Sequence, residues 1–155
     1  MMLINPYQVQ PAAGGGGASH RFWRFTGISS GSLLEISEIQ LLVGATVVSE
    51  GKTYSSFTPP ETGFALANLF DGSLSTRCYW FSASYSDPSF YIKVDLGSAM
   101  AVDGVKQAGF DTSDRYMTAF TLEYSDDNST WTTAATKSGL AYPGNNTLST
   151  VYSVP

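Results

Sequence analysis

The tightest constraint on this chain is a repeat of two. In Phe90-Tyr91-Ile92-Lys93-Val94-Asp95-Leu96, the residues Phe90, Ile92, Val94 and Leu96 fall on one face, while Lys93 and Asp95 fall on the other. A strand alternates its side chains in this way; a helix repeats about every 3.6 residues. The pattern recurs in Phe120-Thr121-Leu122-Glu123-Tyr124, and Trp23 and Phe25 share a face in residues 20–26. In residues 36–43, Ile39, Leu41 and Val43 are expected to point inward, Glu38 and Gln40 outward. β-branched and aromatic residues dominate these segments, as a pleated, half-buried surface requires. Turn chemistry separates them at Ser30-Gly31-Ser32, Asp71-Gly72, Asp103-Gly104, Asp126-Asp127-Asn128 and Pro143-Gly144-Asn145-Asn146. No window of about 11–18 residues carries a helical stripe, and Phe64–Phe70 supports at most one short turn. Short strands so spaced predict an all-β antiparallel sandwich or barrel.

Composition removes several classes of function. At 155 residues the chain is expected to hold one domain, and 43% hydrophobic residues suffice for a core. A net charge of −5 argues against a nucleic-acid partner, which needs a basic face. No apolar run reaches the roughly 18 residues of a membrane span. Cys78 is the single cysteine, so no internal disulfide forms; His20 is the single histidine, so no histidine pair can hold zinc. Gly14–Gly17 lacks the Lys-Ser/Thr that completes a phosphate loop, and no Ser-His-Asp arrangement is identifiable. An enzyme is not expected.

The start of the chain reads differently from the body. Pro6, Pro11 and Gly14–Gly17 oppose regular structure, so residues 1–13 read as an arm, 14–19 as a hinge and 20–155 as the domain. The opening residues have neither a basic stretch nor an apolar core, so no secretion signal is expected.

Three segments then fall in an informative order. They are Ala65-Leu66-Ala67-Asn68-Leu69-Phe70-Asp71-Gly72-Ser73-Leu74-Ser75-Thr76, Phe90-Tyr91-Ile92-Lys93-Val94-Asp95-Leu96-Gly97, and Phe120-Thr121-Leu122-Glu123-Tyr124-Ser125-Asp126-Asp127-Asn128-Ser129-Thr130-Trp131. Together they resemble the discoidin family, or coagulation-factor type C domains, to which family 32 carbohydrate-binding modules are related. The resemblance implies an eight-stranded jelly-roll β-sandwich of galactose-binding-like type. His20-Arg21-Phe22-Trp23-Arg24-Phe25, followed by Glu35-Ile36-Ser37-Glu38-Ile39-Gln40-Leu41, is similar to the strands that normally close the family's chain. Here they come first, so the resemblance implies a circular permutation, which sandwich termini at the surface tolerate.

The same resemblance supplies candidate sites. In carbohydrate-binding relatives the Asp of Asp-Gly, the following Thr and the Glu of the closing strand hold a structural calcium ion. Carried over, the candidates are Asp71, Thr76 and Glu38, with Ser73 standing where an Asp or Asn is common. Calcium favours such a set of oxygens on a bent loop; the alternative is a plain Asp71-Gly72 turn capped by Thr76, with no metal. For a glycan, which needs aromatic faces and polar groups, the candidates are Arg77, Tyr79, Trp80, Arg115 and Tyr116. The alternatives place Trp80, with Phe81 and Trp131, in the core, and Arg115 and Tyr116 on a solvated loop. The leading arm and the Arg-x-Trp-Arg strand resemble small bacteriophage virion proteins. That implies a non-enzymatic tail, fibre or baseplate protein, made in the host cytoplasm and located in the virion. Ile4, Asn5, Pro6 and Tyr7 would dock to other virion proteins in a homo-oligomeric assembly, and the domain would bind surface glycans. A purely structural capsid decoration or adaptor is the other reading.

Overall fold

The alternation builds two antiparallel sheets in the computed structural model, which describes residues 17–155. The arm candidates Ile4, Asn5, Pro6 and Tyr7 lie outside the described residues. The strands are β1 (His20–Ser29), β2 (Leu34–Val43), β3 (Thr46–Val47), β4 (Thr53–Ser56), β5 (Cys78–Trp80), β6 (Ile92–Met100), β7 (Gly104–Gly109), β8 (Ala119–Ser125), β9 (Thr132–Lys137) and β10 (Tyr152–Ser153). One sheet runs β4-β6-β1-β8-β9; the other runs β10-β7-β2-β3, with β5 also paired to β2. The short turn expected at 64–70 is a 3-10 turn at Leu66–Phe70, and one further helical turn spans Ser82–Tyr85. Sandwiches of this kind bury one face of each sheet against the other.

The inward faces meet in one core. Trp23 and Phe25 of β1, Ile39 and Leu41 of β2, Ile92 and Val94 of β6, and Phe120 and Leu122 of β8 are all buried in it. The registers Trp23↔Val94 and Phe25↔Leu122 set these apolar residues side by side. Lys93 and Asp95 point outward as the alternation predicts, and Arg21 pairs with Asp95 at 2.8 Å.

One sequence expectation fails on β2. Glu38 and Gln40 do not face solvent: Glu38 is fully buried and Gln40 nearly so. β5 pairs only with residues 34–36 of β2, and β3 only with 42–43. The gap between them is filled by the 3-10 turn, which packs along β2, and by Ser49, whose hydroxyl accepts the Leu41 N–H at 3.0 Å. A loop thus covers the face that alternation assigns to solvent.

The ends of the described chain meet. Gly17 lies so close to Pro155 that a Cβ at Gly17 would sit 2.9 Å from the Pro155 carbonyl oxygen. β1 lies between β6 and β8 in the first sheet, and β2 between β7 and its short partners β3 and β5 in the second. The segment 20–43 therefore supplies an interior strand to both sheets.

Candidate functional sites along strand β2

Two glutamates three residues apart on β2 anchor the candidate sites. Glu35 lies at the start of the strand, opposite Tyr79 of β5, and its backbone N–H donates to the Arg115 carbonyl at 2.8 Å. The side chain is 5% exposed and takes two arginines: Arg77 Nε at 3.1 Å on Oε1, and Arg115 Nη1 at 2.7 Å on Oε2. Both arginines are about one-third exposed, so water discounts the stability of the pairs. Their geometry is nonetheless fixed. The Arg77 guanidinium lies 4.4 Å from the Phe110 ring centroid and 5.2 Å from that of Phe64. Such cation–π contacts favour a guanidinium over an ammonium. Phe64 meets Tyr79 edge-on, and Tyr79 meets Phe81 in the same way, with Phe81 51% exposed. A cavity of about 190 Å³ opens among Leu33, Glu35, Arg77, Tyr79, Phe81 and Arg115.

Three glycan candidates from the sequence, Arg77, Tyr79 and Arg115, therefore line one pocket, and two do not. Trp80 is fully buried: its Nε1–H donates to the Thr58 carbonyl at 2.9 Å and its ring packs edge-on against Phe90. β5 alternates, so Cys78 and Trp80 face the core while Tyr79 faces out. Tyr116 is turned inward too, with its hydroxyl donating to the Leu140 carbonyl at 2.9 Å. The structure corrects both: neither presents a face to a ligand. Leu33, Glu35 and Phe81 complete the lining, and Phe64 and Phe110 pack against Arg77. The signal for Glu35 was present, since a charge inside the apolar run Leu33-Leu34-Glu35-Ile36 must find partners.

Glu38 has the opposite environment. Both of its carboxylate oxygens are buried without a hydrogen-bond partner among the described residues. Burial, the Asp71 carboxylate and, more weakly, Glu50 push its pKa up to about 8, against the pull of the nearby Gly72 amide. The loop beside it is tightly folded. Asp71 accepts the Thr76 hydroxyl at 2.8 Å and the Ser73 N–H at 2.9 Å, and Thr76 Oγ1 lies 3.3 Å from the Ser73 carbonyl. The Ser73 hydroxyl accepts the Ser75 N–H at 3.2 Å. Gly72 holds a positive φ of +74°, and a Cβ there would sit 3.3 Å from Glu50 Oε1. The loop thus carries Asp71 and Thr76 to the side of β2 where Glu38 is buried.

These residues fit a hard divalent cation. An ionised carboxylate in the interior costs several kcal/mol unless it is paired or bound to metal. Among the described residues Glu38 has no hydrogen-bond or ion-pair partner, and the Asp71 carboxylate is near enough to push its pKa up. Among the described residues no three His, Cys, Asp or Glu side chains form a ready metal cluster. The oxygens would come instead from two carboxylates, the Thr76 hydroxyl and backbone carbonyls such as that of Ser73, a mixture that calcium accepts.

The family comparison agrees with the fold. The F5/8 type C domain family matches residues 50–154, which include Asp71, Arg77 and Arg115 but not β1 or β2. No characterised protein and no solved structure matches the chain. Matched over most of its length and folded as an antiparallel β-sandwich, the chain belongs to the F5/8 type C, or discoidin, domain family.

Proposed function

We propose that this domain is a non-enzymatic module that binds surface glycans through the pocket of Arg77, Tyr79 and Arg115, closed by Glu35 and Phe81. Domains of this family generally serve binding, of carbohydrate or of protein. The observation that carries the reading is the pocket itself: fixed polar groups beside an exposed aromatic edge. Sugars are recognised by that combination, apolar faces for their C–H groups and planar donors for their oxygens. Binding of the full chain to a glycan panel tests it. Arg115→Ala and Phe81→Ala are expected to abolish binding while the melting temperature holds. Binding unchanged in both variants would place the ligand elsewhere.

Glu38, Asp71, Thr76 and Ser73 would hold one structural calcium ion, which supplies positive charge and loop rigidity when bound. The chain order is read as a circular permutation. In its favour, residues 20–43 supply an interior strand to each sheet, and residues 17 and 155 are in contact. A re-ordered chain with 20–43 placed after 155 is expected to fold with the same far-ultraviolet spectrum. The setting is read as a bacteriophage virion, in a tail, fibre or baseplate, with Ile4–Tyr7 docking to other virion proteins in a homo-oligomeric assembly. Deleting residues 1–17 should then prevent incorporation into particles, and incorporation at the unmodified level would sink the docking role.

A further inference from the structure

We infer that the pocket beside Glu35 selects a sugar carrying a carboxylate. This rests on the glycan reading and narrows it to acidic sugars. Both oxygens of Glu35 are turned to the arginines, so the charged groups of the pocket lining present guanidinium N–H donors, beside a Tyr79 whose hydroxyl can donate or accept. Two arginines against one glutamate leave a positive charge in that lining. Glu35 engages Nε of Arg77, which leaves its two Nη groups as a planar fork of the kind that grips a carboxylate bidentately, and Nη1 of Arg115, whose Nε is buried, so that Arg115 offers its Nη groups alone. Phe64 and Phe110 fix the plane of Arg77, and Glu35 fixes Arg115, so little side-chain freedom is left to lose on binding. Phe81 and Leu33 supply the apolar wall for the ring. At about 190 Å³ the cavity suits a single sugar ring, so the carboxylate belongs to the unit that enters. Asp114 is the opposing charge on the rim. Its carboxylate is 4.0 Å from Arg115 Nε, but it is 57% exposed and already accepts the Thr112 hydroxyl. Asp111 also acts on Arg115, from outside the lining. Solvent and salt screen such exposed charges more than they screen a ligand held inside.

The test is titration calorimetry of the full chain with methyl glucuronide and methyl galacturonide against methyl glucoside and methyl galactoside. The uronides are expected to bind at least about tenfold more tightly, as charge-assisted hydrogen bonds outweigh neutral ones. That advantage should shrink as salt rises, grow in Asp114→Asn, and vanish in Arg77→Gln and Arg115→Gln. Arg77→Lys and Arg115→Lys keep the charge opposite Glu35 and should lose most of the advantage without loss of fold. Neutral sugars binding equally well or better would overturn the acidic selectivity and leave the glycan reading standing. No binding of either series, nor of any member of a wider glycan panel, would bring down the glycan reading and this inference together.

Discussion

Glu35 and Glu38 share one strand and nearly complete burial, and their surroundings are opposite. Glu35 meets two arginines from two different loops. Glu38 feels the field of the Asp71 carboxylate, and among the described residues its oxygens lack hydrogen-bond partners and no cation pairs with it. The bulge between residues 36 and 38 in the pairing of β2 with β7 lies between them and alters the local alternation. The same residue type on the same strand is thus prepared for two kinds of chemistry. At Glu35 the protein supplies the countercharge and displays it to solvent. At Glu38 the countercharge must come from outside the chain or be replaced by a proton.

The largest effect separates the pocket from the core behind it. Trp80 neighbours Tyr79 in sequence but packs inside, so Trp80→Ala should cost about 3–5 kcal/mol of stability. Chemical denaturation reads this directly. A loss under 1 kcal/mol, on the order of an exposed substitution, would mean that Trp80 is not core and that the inside-outside division of β5 is wrong.

Calcium addresses the Glu38 side of the comparison. A cation bound only by the folded state adds RT ln(1 + [L]/Kd), about 2.7 kcal/mol at a hundredfold excess over Kd. Thermal unfolding with calcium and with a chelator should show that gain, and Glu38→Gln or Asp71→Ala should erase it. Glu35→Gln should leave it intact. No calcium response in the unsubstituted chain would mean that Glu38 is accommodated by its proton alone.

The metal-free protein sharpens the same point through pH. Glu38 has a folded pKa of about 8 against an ordinary 4.5, so between these values the folded state holds a proton that the unfolded state has released. Stability therefore falls as pH rises through that window and levels off above it. Melting temperatures in chelator from pH 5 to pH 9 should follow that decline, and Glu38→Gln should flatten it. A profile with the same slope in both proteins would assign the dependence to other groups.

How much of this was legible in the sequence depends on which physical signal each residue carried. The alternation at 90–96 and 120–124 is local, and the burial of Ile92, Val94, Phe120 and Leu122 follows it. The burial of Glu38 and Gln40 is not local, because the turn that covers them lies some thirty residues later in the chain. Asp71 and Thr76 were visible as a spaced pair with a turn between them, and they meet through a hydrogen bond. The charge of Glu35 inside an apolar run signals that it needs partners, but which arginines supply them, and that Glu50 comes to lie against Gly72, is set only by the tertiary fold. For Trp80 the sequence leaves a ligand contact and a core place both open, because an aromatic-rich run does not itself say which of its members alternates inward, and the structure puts it in the core.

The smallest effect concerns Glu35 as a positioning residue. Glu35→Gln keeps the shape and an acceptor oxygen but removes the charge, and with both arginines one-third exposed the loss of stability should be about 1 kcal/mol. Binding should respond more than folding does. The arginines lose the group that holds them, so affinity for the pocket's ligand falls through freed rotamers. The variant also raises the net positive charge of the lining, which by electrostatics alone would strengthen the hold on an anion. The two effects have opposite signs, and calorimetry with a uronide separates them. Weaker binding means that Glu35 works by fixing geometry. Tighter binding means that it works by tempering charge, and the contrast with Glu38 would then be one of electrostatic balance alone.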